Sequence, residues 1–501
     1  MNCGNTRRLR LAPLALAAAA PFAQAGASFD ATVAMPAVWR PGDRGGVAAI
    51  FQTLRAHRPS KAPHTPATIA VNRCADTGPG TLRAAIEAAG EGDTIDLSAL
   101  QCSVVTLTQG AIPVPLNNLT VAGPGAARLA IDGAGADRVF VHYGYGTLRL
   151  QQLGVRNGAS IVSGYHVTGG ACILSAGNVV LDHAAVHDCF ASGEGVYGGG
   201  ILATGVALYT STLSGNVALG ANPTTFTAAY GGGAMAYFGA VALYDSTVTG
   251  NRAAHDPADR HGSYCTGGGV FADLGGYALR STIADNYSYG TGGGFAAHAG
   301  VFLTDSTISA NTAKLKAGGG LFVRTFGDSL QFNNSTVAFN DAMLGGGIYV
   351  SGQPRATLMQ STILANNTGA DFAAASALTI AGTNNLVMTR ANAALPGDTL
   401  DSDPLLLPLA ENGGPTRTHA LAPASPAREA GANPADLATD QRGRPRVIGA
   451  ASDIGAVEMD AVAAVLAPAP GLSAAAAVAL VALLSGIGMR RQRAFARSMP
   501  S

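Results

Sequence analysis

Six copies of one short phrase fill the stretch from Gly198 to Asn366, and they leave few ways for the chain to fold. Each copy has a glycine triplet, an apolar stretch, then Ser-Thr, an aliphatic residue and an asparagine. The triplets begin at Gly198, Gly231, Gly267, Gly292, Gly318 and Gly345. The second halves read STLSGN from Ser211, STVTGN from Ser246, STIADN from Ser281, STISAN from Ser306, STVAFN from Ser335 and STILAN from Ser361. Repetition at about 25 to 36 residues marks a solenoid, whose units bury their apolar sides only against the units above and below. Function must then sit on the outside of a rod.

Short β-branched runs precede the repeats, among them Val104-Val105-Thr106-Leu107, Leu119-Thr120-Val121, Leu148-Arg149-Leu150 and Val179-Val180-Leu181. Runs this short, separated by Gly, Asn and Pro, fit the strands of an all-β, right-handed parallel β-helix. The 66 glycines in 501 residues agree with many short elements and frequent turns. A leucine-rich repeat would need LxxLxL, and a calcium-binding β-roll would need GGxGxDx every nine residues; neither is present. The triplets supply positive φ and close coil-to-coil approach. The asparagines Asn216, Asn251, Asn286, Asn311, Asn340 and Asn366 are expected to form a side-chain ladder from coil to coil.

The ends read differently. Residues 1–25 combine Arg7, Arg8 and Arg10 with an Ala/Leu run and Ala23-Gln24-Ala25, the pattern of a signal peptide. Residues 26–66 lack a period and read as a linker. Residues 67–100 form an N-terminal cap, with a short helix from Thr81 that shields the first coil of the β-helix, 101–390. The turn-dense segment 391–458 is expected to cover the open C-terminal end, and 459–472 is an Ala/Pro linker. Residues 473–489 are apolar and are followed by a basic tail, 490–501; this predicts a transmembrane or sorting helix, and with it a membrane partner. The protein is thus expected to be exported, and to lie in the cell envelope, at the outer surface or secreted. In an oxidising compartment Cys74 pairs with Cys102 and Cys172 with Cys189, each about one coil apart, leaving Cys265. Lys+Arg 31 balance Asp+Glu 31, so nucleic acid is not expected as a partner.

Three features bear on function. The position ahead of each Ser-Thr holds Thr210, Asp245, Arg280, Asp305, Asn334 and Gln360. Asp245, Arg280 and Asp305 would be neighbours in a column, either a charge-balanced ladder or a catalytic row for a polysaccharide lyase or glycoside hydrolase. Second, two repeats are 35 residues long against 25 from Ser281 to Ser306, so two coils carry loops of about ten extra residues. Near them gather Tyr230, Tyr237, Tyr244, Tyr264 and Tyr277 with His255, Asp256, Asp259, Arg260 and His261, a candidate face for a glycan or another protein. Third, His183 and His187 with Asp182 and Asp188 suggest a coil-edge cluster more than a metal site. No metal and no cofactor is expected, except calcium if the chain were a lyase.

Cys74 to Asp96, reading CADTGPGTLRAAIEAAGEGDTID, resembles the CSLREA-type N-terminal segment of secreted bacterial β-helix proteins, and the GGG with ST…N units resemble the repeats of polymorphic outer-membrane proteins. DSDPLL, NGGPT, SPA, DQRG and DIGAVE between residues 401 and 458 are similar to the choice-of-anchor Q domain. The tail from Pro470 resembles sorting tails that pair a helix with arginines, without a PEP or IPTL signature. The resemblance implies a surface or secreted β-helix and no common catalytic activity. Adhesion or glycan binding, with a polysaccharide or a host or neighbour surface component as partner, is the first expectation. An enzyme acting on an extracellular polysaccharide is the second, and a purely structural envelope component the third.

Overall fold

The computed structural model of the chain describes residues 48, 50–54, 64–162, 166–221, 227–256 and 263–460. The expected signal segment, the C-terminal apolar run and the basic tail lie outside them. Among the described residues no helix is long and apolar enough to cross a membrane.

The repeats wind into a parallel β-helix. One coil runs from Ile173–Ser175 through Asn178–Asp182, Ala185–His187, Phe190–Gly193 and Gly195–Tyr197 to Ile201–Ala203, which lies beside its own start. Stacking such coils makes five parallel sheets. Face 1, with Asn178–Asp182, has 12 strands; face 2, with Ala185–His187, and face 5, with Ile173–Ser175, have 11 each; face 3, with Phe190–Gly193, has seven and face 4, with Gly195–Tyr197, has four among the described residues. Inward positions repeat from rung to rung. On face 2 Val155, Val186, Leu213, Val248, Ile283, Ile308, Val337 and Leu364 are in register and buried. Each contributes about 1.5–3 kcal/mol of transfer free energy.

The glycine triplet and the asparagine turn out to be two halves of one device. The first glycine takes φ of 55 to 70° (Gly345 to Gly198) where the chain turns into face 5. The second lies so close to the next coil that a Cβ on Gly199 would overlap the Gly232 carbonyl oxygen. The third leaves room for an amide: a Cβ on Gly200 would stand 2.9 Å from Cγ of Asn216, and one on Gly294 at 2.9 Å from Cγ of Asn311. In that space Nδ2 of each asparagine donates to Oδ1 of the next, from Asn216 to Asn251 (2.9 Å), Asn286 (3.0 Å), Asn311 (2.9 Å) and Asn340 (2.9 Å). The last rung is Asn367 (2.9 Å), which corrects the expectation of Asn366. In the final repeat Thr336 pairs with Ile363, so the motif has slipped by one residue and Asn366 is exposed at φ 59°. Asn367 donates to the carboxylate of Asp371, an acceptor suited to the donor end of the amide column.

Serine fixes the bend between faces 1 and 2. Ser246 Oγ donates to the Tyr244 carbonyl (2.7 Å) and accepts from the Ser211 amide (3.1 Å), pinning Asp245 between them. Asp245 and its equivalents Thr210, Arg280, Asp305 and Asn334 have φ of 43 to 49°, a left-handed conformation. The slipped register places Ser361, not Gln360, in this column (φ 46°).

Three features go beyond these expectations. In the two long repeats Thr227–Tyr230 and Ser263–Thr266 pair as strands of face 4, while residues 222–226 and 257–262 of the expected loops lie outside the described residues. Within the proposed linker, residues 50–54 are helical, and Phe51 and Leu54 bury themselves on the outer side of face 5 against Leu202, Met235 and Phe271. That outer column is as apolar as the inner one, so it needs a cover. The segment after residue 400 lies along face 2 as well as following the last coil. Gln441 bonds Thr282 (2.9 Å) and Thr307 (2.6 Å), and the Ala456 amide bonds Thr336 (3.1 Å). Ile454, Leu421 and Ala427 pack there with Ile363 and Leu386.

At the N-terminal end helix Leu82–Ala88, capped by Thr81, buries Leu82, Ala85 and Ile86. Disulfides join Cys74 to Cys102 and Cys172 to Cys189, and Cys265 is buried as a thiol.

Candidate functional site

The left-handed bend decides what the outer surface of face 1 presents. Leu243 points inward and Tyr244 outward, and simple alternation would send Asp245 back inside. Positive φ at Asp245 keeps it outside instead, next to Tyr244. Tyr209 is in register with Tyr244 and Tyr277 with Phe302, while Tyr277 lies opposite Ala242, two residues back along the strand from Tyr244. The Tyr209 and Tyr244 rings stack at 4.8 Å with planes 1° apart, and Tyr277 tilts against Tyr244 at 5.3 Å. Rings stacked along the rod satisfy each other's faces and turn edges and hydroxyls outward. Phe302 continues the stripe and is 40% exposed. Burial and the neighbouring Tyr244 push the Tyr277 phenol up to about 12, so it stays protonated near neutral pH.

Beside this stripe the Arg280 guanidinium grips Asp245 with two bonds, Nε to Oδ1 (2.7 Å) and Nη2 to Oδ2 (2.8 Å). The pairing raises the pKa of Arg280. An arginine held in this way is a poor general base. Asp305, the third member of the column, is 1% exposed, because residues of the C-terminal segment lie over it. Its Oδ1 is 3.5 Å from Nη1 of the equally buried Arg446, beyond hydrogen-bond length. Burial outweighs the attraction of Arg446 and pushes the Asp305 carboxyl up to about 7. The column therefore offers one neutralised pair to solvent and one covered carboxyl, not a cluster of open carboxylates.

The remaining candidates divide between surfaces. Tyr244 and Tyr277 belong to face 1. Tyr230 and Tyr237 are buried in the outer cluster of face 5, where Tyr230 stacks with Tyr197 (5.3 Å) and Tyr237 with Phe51 (5.2 Å); as binding residues they are corrected to packing residues. Tyr264 leans on Tyr230 and lies under Lys316, 4.8 Å from its ring. His255 packs on Tyr289 at 3.8 Å, and the amide of Asp256 bonds the Gly220 carbonyl. Asp259, Arg260 and His261 lie outside the described residues. His183 bonds its neighbour Asp182 (2.8 Å) and His187 bonds Asp188 (2.7 Å). Among the described residues no group of His, Cys, Asp and Glu could hold a metal ion. An open depression of about 590 Å³ lies near Asp132, Asn157, Ile161 and Phe190, but Asp132 is already committed to Arg156 and Asn157.

Sequence reasoning missed Tyr209 and Phe302. The register Tyr209–Tyr244 was available from the identical VALY of two repeats, whereas Phe302 follows a shorter coil.

No family model matches the chain, and no curated protein matches it. Among solved structures it is similar to the crystal structure of pectate lyase Pel9A, at 13% sequence identity and a TM-score of 0.38, covering 81% of this chain and 98% of that one. The assignment to the parallel β-helix class rests on the strand register described above.

Proposed function

We propose that the chain is an exported surface protein of the choice-of-anchor Q type, with a CSLREA-like start, whose rod presents face 1 to an extracellular glycan. The observation that carries this reading is the aromatic stripe over four successive rungs of a rigid sheet, Tyr209 in register with Tyr244 and, two residues back along the strand, Tyr277 in register with Phe302, flanked by the Asp245–Arg280 pair. Phenol hydroxyls both donate and accept, and ring edges supply apolar contact; together they suit a hydroxyl-rich polymer laid along the rungs. Binding without turnover is favoured because Arg280 is neutralised and Asp305 is covered.

The purified chain is passed over immobilised polysaccharides while unsaturated and reducing ends are assayed. Retention without turnover, weakened about tenfold by Tyr244→Ala, supports the reading. Turnover that disappears in Asp245→Ala would replace it with an enzyme.

A further inference from the structure

The charge arrangement of face 1 narrows the ligand, and this step rests on the glycan-binding reading. We infer that the face takes an uncharged polysaccharide, because its ionised side chains are already matched by opposite charges on adjoining coils.

Arg149 Nη1 is 3.1 Å from Asp182 Oδ2, one coil on. Arg280 meets Asp245 side-on, through Nε and Nη2. Among the described residues these four and the covered Asp305 are the arginines and aspartates that flank the tyrosine stripe, and the four open to solvent sum to zero. Where faces 5 and 1 meet, Asp328 and Arg355 are exposed on adjacent coils and again oppose each other in sign. Asp273 at the same corner accepts from the Phe238 amide (3.1 Å) and faces His298 at 3.7 Å. Any net charge it leaves is negative.

A polyuronate brings a carboxylate on every sugar. Holding it requires an arginine, a lysine or a bound cation whose charge is not already balanced, and the charge of Arg280 is balanced by Asp245 through a bidentate pair. The lysines nearest in sequence, Lys314 and Lys316, stand on the Thr312–Ala317 strand of face 3, away from the stripe. A neutral glycan makes no such demand. Its hydroxyls find the phenols of Tyr209, Tyr244 and Tyr277, donors and acceptors on successive rungs. The stripe from Tyr209 to Phe302 covers three rung steps, about 15 Å, the length of a short oligosaccharide.

The full chain and two variants, Tyr244→Ala and Asp245→Asn, are tested by affinity electrophoresis in gels containing a neutral glucan, a neutral mannan or polygalacturonate, at low and high sodium chloride. The expected result is retardation by a neutral polymer, nearly unchanged by salt and weakened about tenfold by Tyr244→Ala, with no retardation by polygalacturonate. Asparagine tolerates the left-handed bend, so Asp245→Asn keeps the fold and releases Arg280; it is expected to gain salt-sensitive retardation by polygalacturonate. Retardation of the unaltered chain by polygalacturonate, lost at high salt and in Tyr244→Ala, overturns the uncharged class while leaving glycan binding in place. Retardation by no polymer, or retardation indifferent to Tyr244→Ala, overturns the glycan-binding reading and this inference together.

Discussion

Replacing Asn286 by alanine tests the ladder at its centre. Its Oδ1 accepts from the Asn251 amide (3.0 Å) and from Asn251 Nδ2 (3.0 Å), while its Nδ2 donates to the Val248 carbonyl (3.0 Å) and to Asn311 Oδ1 (2.9 Å). Asn251 Nδ2 keeps the Leu213 carbonyl, and Asn311 Oδ1 keeps the Asn286 amide. The Asn251 amide hydrogen, in contrast, is left without its acceptor in a buried site. One unsatisfied buried amide costs about 1–3 kcal/mol and one lost side-chain bond about 1 kcal/mol, so Asn286→Ala should cost about 2–4 kcal/mol. Urea unfolding of the chain, followed by circular dichroism, measures this as a lower midpoint. The matched control is Asn366→Gly, in the same repeat phrase but exposed and at φ 59°. Glycine is at ease there, so the control should lie within about 0.5 kcal/mol of the unaltered chain. Equal loss in the two variants would refute the ladder argument, and so would no loss in Asn286→Ala.

Asp305 predicts a pH dependence for the C-terminal segment. Its carboxyl is raised from 3.8 to about 7 in the folded chain, so it binds its proton more tightly folded than unfolded; the stabilisation is full below 3.8 and is lost as pH rises through about 7. Limited proteolysis after residue 400 should therefore be faster at alkaline than at mildly acid pH, and Asp305→Asn should flatten the difference; faster cleavage on acidification contradicts it. Replacing Cys74 and Cys102 together by serine opens a link of sequence separation 28, and should lower stability by about 3–4 kcal/mol in the same urea assay. An unchanged midpoint would show that this bridge does not constrain the unfolded chain.

Much of the coil structure is legible in the sequence because a solenoid repeats its letters wherever it repeats its geometry. STLSGN and STVTGN put Leu213 over Val248 and Asn216 over Asn251, and the structure keeps that register. The last repeat misleads because STILAN is followed by a second asparagine; only the pairing of Thr336 with Ile363 reveals which of the two fills the space beside Gly347. The site was half legible. Which tyrosines share a face depends on where the chain bends, and the turns at Gly231 (φ 64°) and Phe238 (φ 63°) break the strand period between Tyr230, Tyr237 and Tyr244. The helix at residues 50–54 and the segment along face 2 went unseen for another reason. They dock on outward columns, Leu202-Met235-Phe271 and Thr282-Thr307-Thr336, whose exposure cannot be read from spacing alone.

The whole account depends on coils stacked in register, one rung per repeat whatever the repeat length. Val180, Ala207, Ala242, Tyr277, Phe302, Gln331 and Leu358 occupy successive rungs of face 1. Spin labels on cysteines at 180 and 358 should be separated by six rungs, about 29 Å between backbones, and labels at 180 and 302 by four rungs, about 19 Å. Distances by pulsed electron resonance that grow with the number of coils agree with the account. Distances that fail to grow by about half from the four-rung pair to the six-rung pair contradict it.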